Sequence, residues 1–153
     1  MARELTPRQR QNIKYWAEFC DDLRQRGSQF QSQTSKERHF IDFRIGIGCF
    51  LRVGQVIKSK YGPTAITIGF IMKGSAMTYF HSLKKEKKEI ESQFGNPLEW
   101  FAGYETEKHV ALRKEADPKD ENDWPRQHEW LATKLERLNE VFRPRVERLK
   151  ADA

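Results

Sequence analysis

Metal-assisted phosphodiester chemistry needs two or three carboxylates converging on a divalent ion, with a lysine near the attacking water. A common core places an acid, one spacer residue and a lysine together on one strand. Asp117-Pro118-Lys119 and Glu86-Lys87-Lys88 both carry that spelling. The first sits in the acidic stretch DPKDEND, Asp117 to Asp123, where Pro118 predicts a loop; the second falls on the exposed side of a predicted helix. Only Asp42 stands on a neighbouring predicted strand, so a nuclease centre would need Asp42 and the acidic loop to meet. Otherwise these are solvated charges. The four histidines, at 39, 81, 109 and 128, fall one to an element, with no partner at i, i+4 and no cysteine at ligand spacing. His128 precedes Glu129, but no second histidine completes a zinc-protease helix. There is no G-x-S-x-G elbow; Gly74-Ser75 reads as a helix cap, and Gly46-Ile47-Gly48 is too short for a phosphate loop and lies between strands. No catalytic residue, metal or cofactor is assigned.

A different chemistry, electrostatic capture of a polyanion, has better material. Lys84, Lys85, Lys87 and Lys88 crowd one predicted helix, three of them able to project from one side, and Lys73 stands near its start. Arg44, Arg52, Lys58 and Lys60 belong to strands and turns. Sharing a face, the two groups would track phosphates with an affinity that falls with salt. Against this, Glu86, Glu89 and Glu91 interleave with the lysines and can pair with them locally. The formal charge of +6 is uneven: residues 1–95 hold 17 Lys/Arg and 9 Asp/Glu, residues 96–153 hold 11 and 13. Of the tryptophans, Trp16, Trp100 and Trp130 fit core or helix-docking positions, and Trp124, beside Pro125, fits a hydrophobic staple for the loop before the last helix.

The elements that must position these groups follow from hydrophobic period and punctuation. Thr6-Pro7 starts a helix, a hydroxyl N-cap followed by proline at the first helical position. Ile13, Trp16, Ala17, Cys20 and Leu23 give its apolar stripe, Tyr15 and Phe19 a second edge, and Gly27 ends it. Ser28 to Lys36 is a polar loop. Ile41, Phe43, Ile45 and Ile47 alternate with polar residues, a half-buried strand; Gly46 and Gly48 mark a turn or bulge. Cys49 to Ile57 is a second strand, Lys58 to Pro63 a turn, and Thr64 to Met72 a third strand, joined too closely for parallel pairing. From Gly74-Ser75 a second helix carries Ala76, Phe80, Leu83, Ile90 and Phe94 on one face and stops at Gly95-Asn96-Pro97. Leu98 to Ala102 and His109 to Lys114 are two short strands. A last helix capped by Asn122 or Asp123 buries Trp130, Leu131, Leu135, Leu138, Val141 and Phe142, and Pro144 predicts a kink or restart.

The order α-β-β-β-α-β-β-α predicts one α+β domain over residues 1–153: two layers, a mainly antiparallel five-stranded sheet packed with three long helices. With 37% hydrophobic, 33% charged and 12% aromatic residues the composition is globular. No apolar run reaches the ~18 residues that span a bilayer, the charged N-terminus lacks a secretory h-region, and Cys20 and Cys49 suit two reduced structural thiols. A cytoplasmic setting with no membrane partner is expected.

Three segments carry a family resemblance: YWAEF in the first helix, KKEIESQFGNPLEWF with its I-E-x-x-F-G turn and following Trp100, and DWPRQHEWLATKLERLNEVFRPRVERL with its D-W-P…W-L and F-x-P. From about Arg8 to Leu149 the chain resembles a bacterial family of domains of unknown function, found as short standalone proteins and as C-terminal parts of longer, nuclease-like ones. The resemblance implies association with nucleic-acid-processing or defence systems. The expected function is a non-catalytic binding or accessory domain whose partner is nucleic acid or a nucleic-acid-handling protein. The alternatives are a homodimeric or larger self-associating module and a divalent-metal nuclease.

Overall fold

The computed structural model describes residues 4–31, 37–58, 60 and 62–152. The end of the predicted 28–36 loop, two residues of the 58–63 turn and both chain termini lie outside the described residues. Helix α1, Pro7–Gln25, begins as expected and adds a reciprocal cap: Gln9 N donates to Thr6 Oγ1 at 3.1 Å, and Thr6 N donates to Gln9 Oε1 at 2.8 Å. It ends in a Schellman motif, with Ser28 N donating to the Leu23 carbonyl and Gly27 N to the Arg24 carbonyl, both at 3.0 Å. Gly27 sits at φ +70°, open to glycine at no steric cost. The buried face is wider than the predicted stripe. Tyr15 and Phe19, expected at its edge, are fully buried, whereas Ala17 is exposed. The reason is a second neighbour that a one-stripe reading cannot foresee: the Tyr15 ring lies 5.2 Å from Trp124 and 4.5 Å from His128 in the last helix.

Strands β1 (Phe40–Gly46), β2 (Cys49–Val56), β3 (Ala65–Lys73), β4 (Glu99–Phe101) and β5 (Glu107–Glu115) form one sheet in the order β1-β2-β3-β5-β4, every neighbouring pair antiparallel. The predicted irregularity near Gly46 is a register shift between Arg44 and Gly46. At the β1–β2 turn Gly48 has φ +72°, and a Cβ there would lie 2.4 Å from the Lys73 carbonyl oxygen. That closeness lets Lys73 N donate to Gly48 O at 2.7 Å. β5 is nine residues long, longer than the hydrophobic pattern alone marks, because its charged ends pair with β3 through the backbone ladder.

One face of the sheet holds Ile41, Phe43, Leu51, Val53, Ile66, Ile68, Phe70 and Val110, all buried. Helix α4, Trp124–Asp152, covers it, packing also on α1. Phe142 stacks on Phe70 at 4.5 Å with the rings 11° apart. Pro144 does not restart α4, which runs on as one helix of 29 residues. The Arg145 side chain reaches back to the Val141 carbonyl at 2.7 Å, supplying a donor beside the carbonyl that Pro144 leaves unserved. The second predicted helix is three pieces: a 3-10 turn over Gly74–Thr78, then α2 (Tyr79–Lys84) and α3 (Lys87–Phe94), separated by Lys85 and Glu86. The cap at its start involves no side chain, so Ser75 does not cap it. The third long helix of the expected architecture is therefore a bent pair. Cys20 and Cys49 are both in the core, and burial pushes the Cys49 thiol up to about 11. Among the described residues no helix is long and apolar enough to cross a membrane.

Candidate functional site

The basic residues singled out in the sequence are divided among three places. Lys84, Lys85, Lys87 and Lys88 are all exposed at the α2–α3 bend, in the helical layer. Arg44, Arg52 and Lys73 lie on the other face of the sheet, which no helix covers among the described residues. Lys58 and Lys60 sit at the β2–β3 connection, which the nine residues of β3 separate from Lys73 by about 26 Å at ~3.3 Å a residue. The structure brings the helix lysines together and the sheet residues together, and does not merge the groups into one patch.

At the bend, the decisive feature is where the interleaved acids go. Glu86 turns toward α4: its Oε1 accepts from Arg145 Nε at 3.4 Å, and its Oε2 pairs with Arg148. The Arg148 hydrogen bond, with both guanidinium charges, holds its carboxyl below the usual range. Glu91 turns the other way, accepting from Leu98 N at 2.7 Å and Trp100 Nε1 at 3.3 Å. Two of the three acids expected to neutralise the lysines are thus committed elsewhere. The partners of Glu86, Arg145 and Arg148, stand 59 and 62 positions further along the chain, and no local sequence signal connects them to the bend.

The uncovered face carries a half-buried charge network. Arg52 donates Nε to Asp42 Oδ1 at 2.7 Å and Nη2 to Asp42 Oδ2 at 3.1 Å, a bidentate pair, and Nη1 to Glu107 Oε1 at 3.3 Å. Lys73 Nζ stands 3.6 Å from Asp42 and 3.8 Å from Glu107. His109 Nε2 is 2.8 Å from Glu107 Oε1. Burial lowers the pKa of His109 against the pull of that carboxylate, so the neutral ring donates its Nε2–H to Glu107 and leaves Nδ1 as an acceptor. The Arg52 guanidinium lies over the Phe40 ring at 4.4 Å. Arg52 is therefore an anchored strut and not a mobile phosphate ligand. Glu107 and His109 were missed in the sequence, although Glu107, His109, Ala111 and Arg113 alternate with the period of a strand.

Asp42 and the acidic loop do not meet. Asp42 is on the uncovered face of β1. The loop follows β5, three strands away, and is tied into the helical layer by Trp124 Nε1 and Gln11 Nε2, both donating to the Pro118 carbonyl at 2.7 Å. Trp124 does hold this loop as expected, through a hydrogen bond as well as packing. Among the described residues no group of three or more His, Cys, Asp or Glu side chains is placed to hold a metal ion.

The family model described as a domain of unknown function, DUF4268, matches residues 11–146. The chain belongs to the DUF4268 family. No curated protein and no solved structure matches it. The DUF4268 match runs from inside α1 to Val146 of α4, and so takes in the four ridge lysines, Arg145 and the whole sheet.

Proposed function

We propose that this chain is a non-catalytic nucleic-acid-binding domain that holds phosphates on the ridge formed by Lys84, Lys85, Lys87 and Lys88. The observation that carries the reading is the diversion of Glu86 to α4 and of Glu91 to the segment before β4. A lysine-rich helix with its acids in place is a solvated surface; with two of them withdrawn it attracts polyanions. The resemblance to domains attached to nuclease-like proteins fits an accessory role, delivering substrate to a catalytic partner. The separation of Asp42 from the acidic loop is the reason for placing the metal-nuclease alternative second.

The test is a salt titration of binding to labelled single-stranded and duplex oligonucleotides. With four lysines engaged, affinity for a single strand should fall about 50-fold between roughly 50 and 200 mM salt, from ~0.7 released counterions per phosphate. Changing all four lysines to glutamine should flatten that dependence while leaving the melting temperature near that of the parent. Absence of binding at low ionic strength, or an unchanged salt slope in the variant, refutes the proposal.

A further inference from the structure

On the uncovered sheet face, well away from the α2–α3 bend in chain and layer, the register sets four small residues side by side. Gly54 pairs with Thr67 across β2 and β3, and Gly69 pairs with Ala111 across β3 and β5. All four point to the face opposite α4, since their neighbours Val53, Ile68 and Val110 are in the core. The block forms the floor of a cleft of about 350 Å³. Glycine in the middle of a strand weakens a sheet and marks close approach of another group to the backbone. Here there are two, on adjacent central strands. A Cβ at Gly54 would stand 2.9 Å from Thr67 Oγ1, and one at Gly69 would stand 3.3 Å from the Ala111 Cβ, so side chains would fill the floor.

The walls are fixed and mixed in character. Phe40 and the guanidinium of Arg52 line the cleft, and the bonds of Arg52 to Asp42 and Glu107 keep it from swinging inward. His109 is held by the same Glu107 oxygen as Arg52, and the Tyr104 ring lies 4.9 Å from the imidazole with its own side chain about half exposed. At the mouth Arg113 is 42% exposed and pairs only loosely with Glu99 at 3.5 Å. The floor adds one hydroxyl, Thr67 Oγ1, and the wall an imidazole acceptor, His109 Nδ1. A flat floor of backbone, the exposed Tyr104 ring, hydrogen-bonding groups in Thr67 and His109 and the cation of Arg113 are the complement of a planar ring with polar edges and an attached anion.

We infer that this cleft seats one nucleobase, with Arg113 placed for the phosphate of the same nucleotide. The base comes either from a free nucleotide or from a nucleic-acid strand. The site is distinct from the lysine ridge and stands or falls without it.

The experiment follows the amide resonances of Gly54, Gly69 and Ala111 in the full chain as adenosine monophosphate, a short oligoadenylate and an abasic strand of equal length are added in turn. The expected result is displacement of these three resonances by the first two probes and not by the abasic strand. Tyr104→Ala, at an exposed position that leaves the core intact, should weaken binding roughly five- to hundredfold, the range for loss of one stacked base. Gly69→Ala should weaken it as well, and a melting curve separates that loss from unfolding. Displacement by the mononucleotide alone assigns the cleft to free nucleotides, and displacement by the strand alone assigns it to a base within a chain. If the strand binds with a salt-dependent affinity but the abasic strand binds equally and the floor resonances stay still, the inference is overturned and the ridge survives. If the mononucleotide moves the floor while strands show no salt-dependent binding, the ridge fails and the cleft stands. No displacement by any probe, or full affinity in Tyr104→Ala, overturns it.

Discussion

Replacing His128 by leucine should remove about 3 kcal/mol of the protein's loss of stability between pH 6.5 and 4. His128 is 4% exposed, enclosed by Tyr15, Phe19 and Trp124. Its Nε2 has no hydrogen-bond partner. An imidazole enclosed in this way is neutral at pH 7. Burial lowers its pKa from 6.5 to about 4, only partly opposed by Asp22. Below pH 6.5 the unfolded chain takes up a proton that the folded chain refuses until about pH 4. Stability therefore falls as pH falls, at about 1.4 kcal/mol per pH unit. Over the full window the loss is about 3 kcal/mol, a large share of the ~5–15 kcal/mol that holds a domain together. His39 and His109 are also lowered and act in the same direction, so the readout is the difference between parent and variant. Urea unfolding followed by tryptophan fluorescence suits the site, since the Trp124 ring is 6.1 Å from the imidazole. As pH drops from 7 to 4 the variant should gain about 3 kcal/mol relative to the parent. Parallel curves would show that burial does not set the charge state of His128.

Three further expectations rest on separate features. Phe142→Ala removes the ring stacked on Phe70 in the sheet–helix interface and should cost about 3–5 kcal/mol, measured by chemical denaturation. Gly27→Ala places a side chain at φ +70° in the Schellman turn; it should cost about 1 kcal/mol and lower the melting temperature without altering the spectrum of the folded state. Glu86→Gln releases Arg145 and Arg148 from their shared carboxylate and should tighten oligonucleotide binding while steepening its salt dependence. Weaker binding in that variant would mean that Glu86 positions the ridge instead of merely stepping out of it.

The parts of the fold legible in the sequence are those fixed by chemistry within a few residues. Thr6-Pro7 and Gly27 state the limits of α1 because cap and stop are local hydrogen-bond problems. The alternation from Ile41 to Ile45 states which face of β1 is buried. The bend between α2 and α3 was not legible, because Lys85 and Glu86 are ordinary helix residues and the pull on Glu86 comes from Arg145 and Arg148. The same distance hid the deep burial of Tyr15 and Phe19, which depends on Trp124 and His128. Neither was the cleft legible. Gly54 and Gly69 flag close approach in two predicted strands, but only the β2–β3–β5 register sets Gly54, Thr67, Gly69 and Ala111 into one block. Among the basic residues, the lysine cluster is plain in the sequence, whereas the directions taken by Glu86 and Glu91 depend on partners in other elements.

Helix α4 contacts β1, β2, β3, α1 and α3, yet it follows all of them along the chain. During synthesis the part of the inner sheet face around Phe70 lacks its α4 cover until the residues around Phe142 emerge. The strands are then a hydrophobic surface in waiting, held by their own pairing and partly covered by α2 and α3, whose Phe80 and Phe94 belong to the same core. Consolidation of this domain is thus a late event on the ribosome, and a ribosome stalled before Phe142 would display that surface to chaperones.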